Sequence, residues 1–333
     1  MPRFRCLTCR HTFSRQTFAV SYYRKRPELI RPVAAALVAG SAHRQIARSL
    51  GCAPSTVTRL AARLGRHAML LLSRALGELR GRVGEPFVLD HFETFEFTQD
   101  YPFGVATLVG AESWFVYNLD PAPHGRTGRL SGFQERRARS RPRRSNRGGY
   151  AGSTQRTFDL LLALGKADRP ALVRGDGHPA YDRAAARHRL VLERYPNPPR
   201  GPKGSPRSAA ARVRDTALFP VDLLHKILRH TLAHQRRQTI AFGRRLNAVM
   251  ERLFLAAVWR NFIKRRSERR PEPRTPAMHL CLTEVPWGWK RLLARRLFFH
   301  HQPLPAPWAS LYLRQWMTPL LPSNTRHQPV RAL

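Results

Sequence analysis

Acidic residues are scarce for the charge this 333-residue chain carries: 21 Asp and Glu stand against 59 Lys and Arg, a formal charge of +38. So large an excess makes a compact state repel itself unless a polyanion shares its surface. Nucleic acid is the first candidate, because neutralising phosphates releases counterions and gives salt-sensitive affinity. An Arg-rich composition bias would raise the basic count but would not explain the scarcity of acid. Cysteine is sparse too. The four at positions 6, 9, 52 and 281 give no disulfide framework in a chain this long, which points to a reducing compartment. Apolar runs such as Ala68–Leu72 and Leu253–Trp259 fall far short of the ~20 residues a bilayer span needs. The start, Met-Pro-Arg-Phe-Arg, leads into polar residues and not an apolar h-region, so the expected location is cytoplasmic with no membrane partner.

The few acids draw attention by where they stand. Between His225 and Ser267 there are eleven Lys or Arg and one acid, Glu251, which lies inside the apolar run Leu246 to Trp259. A carboxylate in such a helical run is costly unless it is paired or holds a cation. Asp90 and Asp176 are the other two acids singled out, one inside a strand-like segment and one at the end of another.

Four regions follow from composition and periodicity. In residues 1–26, Cys6-Leu-Thr-Cys9 reads as one knuckle of a zinc ribbon. Tetrahedral Zn²⁺ needs four ligands and no second C-x-x-C is present, so Cys6 and Cys9 form an incomplete site, with His11 as a third donor at most. Residues 27–80 read as a helix-turn-helix. Ser41 is a candidate N-cap, Gly51 supplies a turn with positive φ, and Pro54 suits the first turn of the next helix. Ile46, Leu50, Val57 and Leu60 are spaced to interlock. The face left exposed carries Ser55, Thr56, Thr58, Arg59 and Arg63, groups able to meet base edges and phosphates. A generic three-helix packing unit is the plainer alternative.

Residues 86–268 change to strands. Phe87–Phe97 has strand composition with Asp90 inside it, and Tyr101–Val109 with Glu112–Leu119 suggests a hairpin. An Arg-rich loop follows, with seven arginines between Arg136 and Arg147; Arg136, Arg137, Arg139, Arg141, Arg143 and Arg144 are the candidate phosphate contacts in it. Thr154–Leu164 reads as a helix and Ala171–Val173 as a buried strand that delivers Asp176. Tyr181–His188 reads as a helix and Leu190–Leu192 as a strand. Pro196–Ser208 is a connector, and 218–264 reads as helical. Asp176-Gly177 could equally be a turn, Asp90 could face solvent with Glu93 or Glu96 taking its place, and Glu251 could pair with Arg244 or Arg252. Residues 269–333 form a Pro-rich extension with Trp at 287, 289, 308 and 316 and one amphipathic segment, Trp289–Phe299.

Several motifs together resemble a known family. They are Arg5–Cys9 with Phe13–Phe18, the helix-turn-helix, Leu89-Asp90-His-Phe-Glu-Thr, Gly175-Asp176-Gly-His-Pro-Ala-Tyr181, and Arg237–Asn247 running through Glu251 to Trp259 and Lys264. The chain is similar to bacterial insertion-sequence DDE transposases of the InsA/InsB type, over roughly residues 4–320. The resemblance implies an α/β, RNase H-like mixed-sheet core preceded by an all-α helix-turn-helix domain. It implies Asp90, Asp176 and Glu251 as a catalytic triad that binds Mg²⁺ (or Mn²⁺). It further implies binding of terminal inverted repeats, 3′-end cleavage, strand transfer into target DNA, nucleoid association and homo-oligomers on DNA. Two Mg²⁺ ions would clamp the attacking and leaving oxygens, and three acids suffice because Mg²⁺ keeps water and substrate phosphate in its shell. The departure from the family is the missing first C-x-x-C. A non-catalytic helix-turn-helix DNA-binding protein and an inactive, decayed transposase are the alternatives.

Overall fold

The computed structural model describes residues 2–14, 16–126, 130–140, 149–199, 201–202, 204–269 and 272–315. Arg141, Arg143, Arg144 and Trp316 lie outside the described residues. The chain opens with an antiparallel hairpin of β1 (Arg3–Arg5) and β2 (Thr12–Ser14). Three helices follow: α1 (Ile30–Leu37), α2 (His43–Ser49) and α3 (Pro54–Leu79). Ile46 and Ala47 of α2, Val57 and Leu60 of α3, and Val33, Ala34 and Leu37 of α1 are buried together, the interlock their spacing predicts. The α2 N-cap is Ala42, not Ser41, with the Gln45 side chain accepting from the Ala42 N–H at 2.8 Å. Gly51 has φ +57°, which lets α2 turn into α3.

The second helix of this unit runs far beyond the residues that form the helix-turn-helix. α3 continues to Leu79 because His67, Ala68, Met69, Leu70, Leu71 and Leu72 are all buried. A helix apolar on every side needs neighbours on every side, and α9 (Leu246–Phe262) is the main one. Gly65 makes the crossing close: a Cβ built on it would stand 2.3 Å from the Glu251 carbonyl oxygen.

A five-stranded mixed sheet forms the centre. β3 (Phe87–Phe95), β4 (Pro102–Gly110) and β5 (Val116–Pro123) are an antiparallel meander, and β6 (Ala171–Gly175) and β7 (Leu190–Arg194) run parallel to β3. The order across the sheet is β5-β4-β3-β6-β7, so β3 is central. Between β5 and β6 lie α4 (Gly132–Arg139) and α5 (Tyr150–Leu164); α6 (Pro179–Ala185) joins β6 to β7. The Arg-rich segment is therefore partly helical, with Ser131 capping α4 through Gln134 N–H. That differs from the loop expected there, and the cap and its Gln134 partner at the third helical position account for it.

After β7 come α7 (Ala209–Ala217), α8 (Phe219–Thr231) and α9, then the short helices α10 (Pro276–His279), α11 (Trp289–Ala294) and α12 (Ala306–Tyr312). The run 218–264 is thus two helices separated by an irregular segment, since Gly243 and paired arginines interrupt the apolar spacing. Successive residues on a strand face opposite sides, and β3 shows this directly. His91 meets Ser153 of α5 and Tyr181 of α6, while Asp90 meets His225 of α8. One face of the sheet carries α5 and α6; the other carries α8. The edge strand β5 is covered by Asn261, which bonds both the N–H and the carbonyl of Val116, and by Trp308, which donates to the Leu119 carbonyl. Such cover removes a free sheet edge. No helix among the described residues is long and apolar enough to cross a membrane.

Candidate active site

Asp90 and Asp176 arrive at one place by sheet register. Leu89 of β3 lies beside Gly175 of β6 in parallel pairing, so the residues that follow each, Asp90 and Asp176, are neighbours. Gly175 lacks a side chain where the Tyr181 ring packs; a Cβ there would meet the ring at 2.9 Å. Gly177, at φ +83°, turns the chain sharply, and the His178 N–H donates to Asp176 Oδ1 at 3.0 Å. Asp176-Gly177 is both a turn and the point where an acid is delivered. The side chain of Asp90 accepts from the His91 N–H at 2.7 Å.

The electrostatics of Asp90 are unusual. Burial, first, and the nearby Asp176 carboxylate, second, push it up to about 7, with Asp222 adding in the same direction and Arg214 opposing. His225 Nδ1 stands 3.6 Å from Asp90 Oδ2. Burial, then Arg229 and Arg214, lower His225 to about 3, so this imidazole is neutral. Thr107 Oγ1 donates to the Asp90 carbonyl at 2.7 Å and lies 2.7 Å from His225 Nε2. With its hydroxyl proton committed, Thr107 accepts from Nε2–H, and the Nδ1 lone pair then faces Asp90. Two acceptors facing each other, with a second carboxylate beside them, require a proton or a cation. Hard oxygen donors suit Mg²⁺, which takes few protein carboxylates and keeps water and phosphate. By donor type and charge the Asp90–Asp176 pair fits a divalent cation.

Glu251 does not join them. It is 3 % exposed in the α3–α9 interface, and its carboxylate meets Arg314 Nη2 at 3.3 Å. Burial raises its pKa, opposed by Arg314 and Arg66. The charge isolated in an apolar helical run is therefore met by arginines from α3 and from the segment after α12, not by the Asp90–Asp176 pair. Arg252 donates its hydrogen bond to the Ala248 carbonyl, yet its charge also acts on Glu251, lowering the carboxyl, whereas Arg244 does not meet it. Glu93 and Glu96 also stand elsewhere. Glu93 bonds Tyr150 and His124, and Glu96 accepts from the Leu246 N–H at the start of α9.

A further acid whose charge is felt at Asp90 is Asp222, in the first turn of α8. Arg214 of α7 holds it through Nη1–Oδ2 at 2.5 Å. The single helical run expected over 218–264 does not distinguish Asp222 and His225, and Arg214 lies before it in α7. The signal present was the i, i+3 spacing of Asp222 and His225, which places both on one helix face. Among the described residues no three His, Cys, Asp or Glu side chains form a set that can hold a metal ion.

The N-terminal candidates divide similarly. Cys6 and Cys9 flank the β1–β2 turn, closed by Cys6 N–H to the His11 carbonyl at 2.9 Å. Hydrogen bonding from Cys9, its backbone first, lowers the Cys6 thiol. Two thiols are half of a zinc set, so the residues do not fit Zn²⁺. On α3, Ser55, Thr58 and Arg59 are exposed and Thr56 is half-buried; Thr58 is engaged by His43 Nδ1 at 3.0 Å. Arg63 is turned inward beside Arg66 and Tyr312, and burial lowers it to about 10. It leaves the exposed face because α3 extends into the core. Arg136 and Arg139 are exposed on α4, whereas Arg137 bonds Asp100 at 3.2 Å.

Set beside protein-family models, curated proteins and solved structures, the chain finds no match.

Proposed function

We propose that the protein is a DDE-type transposase whose core is RNase H-like and which performs divalent-metal-dependent phosphoryl transfer on DNA. The observation that carries this reading is the juxtaposition of Asp90, on the central strand, with Asp176, at the end of its parallel neighbour. The strand order β5-β4-β3-β6-β7, with an antiparallel meander followed by two parallel strands, supports the RNase H-like assignment. The excess of positive charge and the exposed Ser55, Thr58 and Arg59 support DNA as the partner.

Asp90 and Asp176 would hold the metal, with Asp222, tied to Arg214, adding negative charge near them. A bound Mg²⁺ would neutralise charge on the phosphoryl group in flight and lower the pKa of the attacking water. The chain's own residues do the rest. His225 and Thr107 fix the Asp90 strand segment, and Gly177 and the His178 N–H fix the Asp176 carboxylate. Arg214 holds Asp222 in place through its ion pair.

The test is cleavage of duplex DNA carrying the element's terminal repeats, with purified full-length protein and Mg²⁺. Asp176→Asn is expected to lose strand cleavage and transfer while keeping DNA binding. Retention of cleavage by that variant would end the proposal. A second reading, a DNA-binding protein without chemistry, draws on the absence of a three-ligand metal set among the described residues. It predicts binding but no cleavage by the unmodified chain at any Mg²⁺ or Mn²⁺ concentration.

A further inference from the structure

The segment between α8 and α9 is basic at both ends and apolar at its tip. Its sequence is Arg236-Arg-Gln-Thr-Ile-Ala-Phe-Gly-Arg-Arg245, with no acid. Ile240 is 100 % exposed and Phe242 is 36 % exposed. A wholly exposed isoleucine costs solvation free energy unless something apolar covers it in the working state.

The segment is not a slack loop. At its start the Thr94 hydroxyl donates to Gln235 Oε1 at 2.8 Å, and Arg229 Nη1 donates to the Gln235 carbonyl at 2.9 Å. At its end the Phe97 N–H donates to the Gly243 carbonyl at 2.8 Å, and Glu96 accepts from the Leu246 N–H at 2.7 Å. Arg236 reaches the Gly40 carbonyl at 3.4 Å, at the turn before α2. The anchors place it. Thr94 lies on the same face of β3 as Asp90, two pleats further along, a separation of about 13 Å at ~3.3 Å per residue. The segment therefore leaves and rejoins the fold at the C-terminal end of β3, with its first anchor on the face of the sheet that Asp90 occupies.

We infer that this segment is a DNA wedge: Ile240, with Phe242 beside it, presses against base pairs while Arg237 and Arg244 grip phosphates on either side. The inference rests on the phosphoryl-transfer reading for the identity of the partner. The occupant is chosen by charge, since exposed arginines flank the tip and a protein partner would need acids that nothing here calls for. Apolar side chains set between arginines unstack base steps at the cost of a few kcal/mol per step, offset by the added phosphate contacts.

The test uses the full chain, without divalent metal, on a 30-base-pair duplex with 2-aminopurine at successive positions. Binding by the unmodified protein should raise fluorescence at least twofold at one or two adjacent positions. Ile240→Ser, a change at a fully exposed site that leaves the fold intact, should abolish that rise while weakening binding less than tenfold. Arg237→Ala with Arg244→Ala should make the log–log salt slope shallower by about 1.8, at ~0.9 per phosphate. A full fluorescence rise with Ile240→Ser, or an unchanged salt slope in the double variant, would overturn the wedge. So would an Ile240→Ser protein that loses self-association but unstacks DNA normally, which would make the tip a contact between copies of the chain. The readout does not depend on chemistry. Unstacking without cleavage by the unmodified protein removes the transposase reading alone, and cleavage with no Ile240 effect removes the wedge alone.

Discussion

Gly65 of α3 lies directly against Glu251 of α9, so close that a Cβ on the glycine would stand 2.5 Å from the Glu251 Cβ. The contact explains why Glu251 is kept from the sheet: its helix is committed to α3, and its carboxylate to Arg314. Gly65→Ala must separate the helices or bend them. Overpacking of this kind costs about 1–3 kcal/mol, and thermal unfolding of the variant should show a correspondingly lower midpoint. An unchanged midpoint would mean that α3 and α9 are not closely packed.

Glu251 and Asp176 should respond oppositely to neutralisation. Glu251→Gln leaves Arg314 and the buried Arg66 beside a neutral group, but burial already disfavours the charged carboxylate, so stability should fall by less than the about 3–5 kcal/mol of a fully buried pair. The cleavage rate per folded molecule should stay within a few-fold of the unmodified protein. Asp176→Asn should leave stability nearly unchanged and remove cleavage. If Glu251→Gln loses all cleavage while still fully folded, Glu251 belongs to the chemistry after all.

Asp222→Asn tests whether the acid held by Arg214 takes part with the Asp90–Asp176 pair. The expected result is loss of Mg²⁺-dependent cleavage by at least a hundredfold, with DNA binding kept. Chelation with EDTA should reproduce the same phenotype in the unmodified protein. Full activity in Asp222→Asn alongside a dead Asp176→Asn would leave the carboxylate pair standing and exclude Asp222.

Acid should destabilise the helical face through His67. This residue is 8 % exposed, its Nε2 lies 3.2 Å from the Leu292 carbonyl, and burial lowers its pKa to about 4. Its folded pKa is below the unfolded value near 6.5, so the native state holds it neutral. Nothing is lost above pH 6.5. As pH falls from there toward about 4 the unfolded chain gains a proton that the folded one refuses, and stability drops by up to about 3 kcal/mol at 1.36 per unit. His67→Gln should flatten that part of the stability–pH curve in chemical denaturation. An identical curve for both proteins would refute the assignment.

The sequence determined the parts whose signals are local. Periodicity and turn residues place α2 and the start of α3, with the interlock of Ile46, Val57 and Leu60 and the positive φ of Gly51. Alternation and β-branching place all five strands of the sheet to within a few residues, and with them the two aspartates. The bounds of α3 were not legible, because its continuation to Leu79 depends on partners nearly two hundred residues away. Nor was the partner of Glu251. A lone carboxylate among arginines signals only that something positive must meet it; whether that is a metal or a guanidinium depends on which helices cross. Tertiary structure alone decided that the charge of Asp222 on α8, not that of Glu251 on α9, is felt at Asp90, since α8 lies on the Asp90 face of the sheet and α9 packs on α3 and the β5 edge.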